Sequence, residues 1–193
     1  MRTINFTVLI IILVSVLILS PFSTFTEISE HSIVSGVAID KESDEWLVTC
    51  EISVPSSSND FASEARYVNG KGYTLYSALE DCALKTPEII YTEAVQIYLI
   101  NEKINKDNCI YQYFRDGNVN LRAIAVSTKG KASDLFSDDE NKGVKSVKIA
   151  EKIKNYCNDN KIEMPDITAF LQDKKEILIS DENIPLRRAY EHE

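Results

Sequence analysis

The chain has 193 residues, 44% of them hydrophobic and 26% charged, with 21 Lys+Arg against 30 Asp+Glu. That length supports a core that folds without disulfides or a metal, and the composition excludes disordered, collagen-like and disulfide-dense classes. The net charge of −9 argues against nucleic acid as a partner, because duplex binding rests on many Lys and Arg side chains at phosphates.

Between Arg2 and Glu27 lie 24 consecutive uncharged residues, centred on the apolar run from Val8 to Leu19. No polar face of helical period interrupts them, so the segment reads as an export or anchor helix and not as a core helix. The positive charge precedes it, and Glu27 and Glu30 follow. This puts the N-terminus in the cytoplasm and the rest of the chain outside. The most apolar part, Phe6 to Leu19, has the length of a signal h-region. The residues after it, Ser20-Pro21-Phe22-Ser23-Thr24-Phe25, contain no Ala-x-Ala cleavage site, which favours an uncleaved anchor over a removed signal. The expected organisation is a signal or anchor segment at 1–26, one extracytoplasmic domain at 27–180 and a polar tail at 181–193. The membrane is thus an expected partner, and the exported part keeps 20 basic and 30 acidic side chains.

In the exported part, the β-branched run Ile33-Val34-Ser35-Gly36-Val37-Ala38-Ile39 predicts a strand from Ser32 to Asp40. Trp46 to Val54 alternates, with Val48, Cys50, Ile52 and Val54 on one side and Thr49, Glu51 and Ser53 on a wet one. The two are expected to form an antiparallel hairpin. A third strand is predicted over Phe61–Val68. Asn69-Gly70-Lys71-Gly72 reads as a turn that releases the chain into a helix capped by Thr74, with Leu75, Leu79, Cys82 and Ala83 on its apolar stripe and Pro87 beyond its end.

Further strands are predicted over Ala94–Ile100 and Leu121–Ser127, with a helix from Asn105 to Arg115 between them that turns Ile110, Tyr113 and Phe114 inward. A short helix follows at Gly130–Phe136. After the acidic turn Ser137–Glu140, Val144, Val147, Ala150, Ile153 and Cys157 recur at helical spacing. Pro165 falls in the first turn of a last short helix holding Ile167, Phe170 and Leu171. Glu176 to Ser180 closes the set as a strand. Helices and strands intermix without strict βαβ repetition. The expected fold is therefore α+β, a mixed and largely antiparallel sheet packed with helices, preceded by one N-terminal hydrophobic helix.

The chemistry-bearing motifs are sparse. Gly70-Lys71-Gly72 and Lys129-Gly130-Lys131 lack the spacing and Gly-Lys-Ser/Thr ending of a phosphate loop and read as turns. The only imidazoles, His31 and His192, lie at the membrane exit and the far end, which leaves no Ser–His or Cys–His nucleophile pair. No carboxylate pair stands out from a solvated surface. Lys145, Lys148, Lys152 and Lys154 form a basic helix face that reads as solvated, with anionic head groups or an acidic partner as the alternative. Four cysteines, Cys50, Cys82, Cys109 and Cys157, lie where disulfides are allowed; their spacing does not choose among three pairings. Cys50 and Cys157 sit on apolar faces, which favours small buried hydrophobes over a bridge. Zinc is disfavoured, since no two cysteines lie within four residues of each other. No catalytic, cofactor-binding or metal-ligating residue is assigned, and no cofactor is expected.

One resemblance emerges from the order of the motifs. The apolar segment is followed by Glu27-Ile28, by Ile33–Asp40, and by Gly70-Lys71-Gly72-Tyr73-Thr74-Leu75-Tyr76-Ser77-Ala78-Leu79. Tyr98-Leu99-Ile100, Ile110-Tyr111-Gln112-Tyr113-Phe114-Arg115-Asp116 and Leu121–Ala132 come next. This order resembles the N-terminal domain of the Ger(x)C family, the C subunits of spore germinant receptors, over about residues 27–180. The resemblance implies a non-enzymatic extracytoplasmic protein in the spore inner membrane, working with membrane-protein subunits in spore germination. Three departures accompany it. Leu19–Thr26 lacks the family's lipobox Cys, the chain stops short of the family's later domains, and Tyr91-Thr92-Glu93-Ala94 lacks a histidine common before that strand. An uncleaved helix would serve the tethering that a lipid serves in the family. The residue-level rivals are a secreted or anchored small-molecule-binding module and, more distantly, a hydrolase using two carboxylates.

Overall fold

The computed structural model describes residues 31–54, 64–86, 89–104, 107–117, 119–136, 143–172, 177–179 and 187–188. The expected N-terminal hydrophobic helix and the loop after Pro55 lie outside these residues. All described elements fall in one compact unit, His31–Glu193. Among the described residues no helix is long and apolar enough to cross a membrane.

The first two strands pair as the sequence predicts. β1 (His31–Glu42) and β2 (Glu45–Val54) form an antiparallel hairpin, with Ser43 at positive φ in the turn between them. β3 (Glu64–Gly72) adds to β2 antiparallel. It runs through Asn69-Gly70-Lys71-Gly72, so the expected turn there is in fact strand. The glycines serve close packing. A Cβ on Gly70 would stand 2.0 Å from the Ala78 carbonyl oxygen of helix α1 (Leu75–Leu84), so only a residue without a side chain lets that helix lie against the strand. Thr74 caps α1 as expected. Its hydroxyl accepts from the Ser77 N–H at 3.0 Å, and Ser77 Oγ accepts from the Thr74 N–H, completing a capping box.

Beyond α1 the sheet changes character. β4 (Ile89–Tyr91) and β5 (Ile97–Asn101) both pair with β1 in parallel, one after the other along its length. Helix α2 (Asn108–Asp116), capped by the Asp107 carboxylate on the Cys109 N–H at 2.9 Å, leads to β6 (Ile124–Thr128), which is parallel to β5. A 3₁₀ turn (Ala132–Phe136), α3 (Lys145–Asn160) and α4 (Ile167–Leu171) precede β7 (Ile177–Ile179), parallel to β6. β8 (Arg187–Arg188), from the expected polar tail, pairs antiparallel with β7. The sheet order is β3-β2-β1-β5-β6-β7-β8, with β4 on β1.

The fold is thus α+β with a mixed sheet. The expectation of a largely antiparallel sheet holds for β1 to β3 and for β7 with β8, and is corrected between them, where the pairings among β1, β4, β5, β6 and β7 are all parallel. β5 continues in the direction of β4 after a short turn, while β4, β6 and β7 are each reached through helical segments, and such crossovers return the chain in the same direction. Smaller differences follow from local caps. β5 begins at Ile97 because Thr92–Val95 forms a turn (Val95 N–H to the Thr92 carbonyl, 3.2 Å), and β6 begins at Ile124 after the Asn120–Ala123 turn. Pro165 precedes α4, whose cap is Asp166.

Helices cover both faces. On one, α1, α2 and α4 pack over Val37, Ile39, Trp46, Val48, Cys50, Tyr98 and Ile100. Phe114 of α2 sits edge-on to Tyr98 at 5.0 Å and to Phe170 of α4 at 5.6 Å. On the other face, α3 and the 3₁₀ turn pack Ile149, Ile153, Cys157, Leu135 and Phe136 over Ala38, Leu99 and Val126. Coverage on both sides explains why β1, β5 and β6 read as unbroken apolar runs.

Candidate functional site

α3 and the 3₁₀ turn cover only part of their face, and two buried carboxylates fix where that cover ends. Glu51 of β2, expected on a wet face, is 0% exposed. Its Oε1 accepts from the Lys145 N–H at 2.6 Å and the Tyr67 hydroxyl at 3.1 Å. Its Oε2 accepts from the Ser146 N–H at 2.8 Å and the Ser35 hydroxyl at 3.0 Å. The first turn of α3 has no capping side chain of its own, so Glu51 supplies the acceptors from another strand, at the helix end where the backbone favours negative charge.

A β-bulge at Ser35, between Val34 and Gly36, brings the Ser35 hydroxyl to this carboxylate. Gly36 beside it leaves room for Ser146, which a Cβ there would meet at 2.5 Å. Lys145 is buried by the same docking and so leaves the predicted basic face, on which Lys148, Lys152 and Lys154 stay exposed.

Asp40, at the far end of β1 and 2% exposed, does for the 3₁₀ turn what Glu51 does for α3. It accepts from the Ala132 N–H at 2.8 Å, the Ser133 N–H at 3.0 Å and Asn101 Nδ2 at 3.1 Å. Across the sheet edge, Tyr67 of β3 stacks on Phe136 of the 3₁₀ turn with ring centroids 5.9 Å apart. Between these anchors the side of β2 and β3 that no described element covers forms an open groove of about 340 Å³, lined by Leu47, Thr49, Tyr67, Asn69, Lys71, Ser133, Asp134 and Phe136 among others. Thr49 donates to Asn69 Oδ1 at 2.8 Å across the two strands, which fixes the amide in the groove floor. A volume of this order suits a small polar molecule or a few peptide residues. The lining offers a phenol, an amide, hydroxyls, one ammonium and one carboxylate. These groups are set in a lining that is mostly apolar by exposed area, and it holds no imidazole or thiol.

The outer edge of β3 is closed by α1. The Lys71 N–H donates to Asp81 Oδ2 at 2.9 Å, and Lys85 Nζ donates both to the Asn69 carbonyl at 2.8 Å and to Asp81 at 2.6 Å. The Lys85 ammonium and the Lys71 N–H hold the Asp81 carboxyl below its ordinary range. At the opposite end of the hairpin, Lys41 reaches Asp107 at 3.1 Å and lies 4.6 Å from the Trp46 ring centroid, tying β1 to the cap of α2.

The other candidates from the sequence fall apart from the groove. Lys129-Gly130-Lys131 is a turn after β6, with Gly130 at φ +100 and Lys131 paired to Glu42. His31 begins β1, and His192 lies outside the described residues. Among the described residues no group of three or more His, Cys, Asp or Glu is gathered for a metal. Cys50, Cys82 and Cys157 are buried and Cys109 is exposed, all as thiols. Contact with Cys82 and then burial push the Cys50 thiol up, while contact with Cys50 outweighs burial and lowers Cys82. Sequence reasoning missed the groove and both buried carboxylates. The one local signal was Asp40, an acid directly ending an apolar run.

Neither a curated protein nor a solved structure matches the chain. A family model described as "Spore germination protein N-terminal domain" matches residues 25–181. That span contains every strand and helix described above except β8, and it agrees with the resemblance carried by the ordered motifs. The chain belongs to the family of spore germination protein N-terminal domains.

Proposed function

We propose that the protein is a non-catalytic, membrane-tethered extracytoplasmic subunit, like the C subunit of a germinant receptor, acting in the spore inner membrane through contacts with membrane-protein subunits. The family match over residues 25–181 carries this reading. The 24-residue uncharged segment before Glu27 supports the tether, and the charge order around it supports an outward-facing domain. The open side of β2 and β3 is the surface assigned to partner contact. It presents hydrogen-bonding side chains on a rigid sheet, beside elements pinned by Glu51 and Asp40.

The test is co-purification from spores. A tagged chain should bring down integral membrane proteins, and Asn69→Ala combined with Lys71→Glu should weaken that capture and slow germination while leaving the protein folded. Capture and germination unaffected by the pair of substitutions would remove the groove from the account. A second reading draws on the groove volume of about 340 Å³, which also suits a small ligand. Thermal-shift screening with amino acids and sugars would raise the melting temperature if that reading holds.

A further inference from the structure

Cys50 and Cys82 lie on the same face of the sheet and in the same buried cluster. Cys50 is paired across the β2–β3 ladder with Val68. Cys82 Sγ, arriving from α1, stands 3.6 Å from the Val68 carbonyl oxygen and 3.6 Å from the Val48 carbonyl oxygen, so it sits over the ladder beside Cys50. The approach depends on Gly70, where a Cβ would come 2.6 Å from that sulfur. Cys157 belongs to the cluster on the opposite face, under α3, and Cys109 is exposed at the start of α2. A bridge from Cys157 to Cys50 or Cys82 would have to pass through the sheet. Of the three pairings open to four cysteines, the two that use Cys157 with Cys50 or Cys82 are therefore excluded, and the third leaves Cys109 and Cys157 apart.

We propose that Cys50 and Cys82 form a covalent modification site, a disulfide that clamps α1 onto β2 when the chain meets a disulfide oxidant, with Cys109 and Cys157 remaining thiols. The exchange balances in two steps. Before α1 docks, while both sulfurs are open to solvent, the Cys82 thiolate attacks a sulfur of the oxidant's disulfide and releases one oxidant thiol. The Cys50 thiolate then attacks the mixed disulfide at Cys82 and releases the second. Two protein thiols are oxidised, one oxidant disulfide is reduced to two thiols, and the two protons pass to the released thiolates. Formation in the cell rests on the outward-facing reading above; the pairing itself does not.

The test uses the full chain in detergent, unfolded, then refolded in a glutathione redox buffer, alkylated with N-ethylmaleimide and digested without reductant for mass spectrometry. A cross-linked peptide pair containing Cys50 and Cys82, with Cys109 and Cys157 alkylated, is expected. The Cys109→Ser and Cys157→Ser double variant should keep the cross-link. Added reductant should lower the thermal midpoint by about 10 °C, the order expected for a closed loop of this length in a domain of this size. Alkylation of all four cysteines after refolding in the oxidised buffer would overturn the proposal, and so would a cross-link that includes Cys109 or Cys157.

Discussion

Replacing Glu51 by alanine removes the acceptor that holds the first turn of α3 on the sheet. The carboxylate is fully buried and accepts four hydrogen bonds, two of them from the Lys145 and Ser146 backbone N–H groups. Those N–H groups have no intrahelical partner and are left buried without an acceptor, at about 1–3 kcal/mol each. The Ser35 and Tyr67 hydroxyls can rotate toward other acceptors, so they add less. The expected loss is about 4 kcal/mol, a large share of the ~5–15 kcal/mol that stabilises an ordinary domain. Glu51→Gln keeps the shape but turns one acceptor into a donor facing another donor, and should cost about half as much. Urea unfolding followed by the fluorescence of Trp46, the single tryptophan and a buried one, reads both directly. Glu51→Ala should move the midpoint down by about 2 M, and Glu51→Gln by about 1 M. A Glu51→Ala midpoint within a few tenths of a molar of the parent would refute the claim that this carboxylate seats α3.

Other predictions follow from the same geometry. Gly70→Ala forces α1 away from β3 and should cost about 3 kcal/mol, measured by the same unfolding curve; an unchanged midpoint would show that the helix is not held against the strand. Thr74→Ala breaks the capping box and should cost about 1 kcal/mol, with partial rescue by Thr74→Asp. Lys161, the C-cap of α3, sits at φ 54, so Lys161→Gly should raise stability by about 1 kcal/mol. Asp107 is pushed up by burial but pulled down further by the Cys109 N–H and the Lys41 ammonium, leaving its carboxyl below the ordinary value of 3.8. A depressed folded value means its contribution is complete above that pH and is lost as pH falls through the folded value. The stability of Asp107→Asn should therefore fall less steeply than the parent's as pH drops below about 4.

The local grammar of the chain was readable wherever neighbours in sequence are also neighbours in space. The β1–β2 hairpin follows from β-branched runs around a polar turn, and the α1 cap follows from Thr74 directly before the apolar stripe that begins at Leu75. What the sequence hid depends on elements far away along the chain. Glu51 alternates like a solvent-facing strand residue and is buried by α3, whose first turn lies 94 residues later. Lys145 counts as part of a basic face by period, yet the same docking buries it. Gly70 and Gly72 carry a turn signal because glycine marks turns, but here the missing side chain serves helix-on-strand contact. Strand direction beyond β1 has no local signature, since it is set by crossovers. The groove was not legible for a related reason: it is bounded by what α3 and the 3₁₀ turn leave uncovered.

The reading as a tethered germination-receptor subunit meets its most direct test in a tagged copy expressed from its own promoter in a sporulating host, with spores fractionated and the inner membrane washed in high salt and in alkaline carbonate. The tethered account predicts that the full-length chain stays in the spore membrane through both washes. Its appearance in the growth medium of vegetative cells, at a mass reduced by the N-terminal segment, would contradict both the anchor and the receptor role.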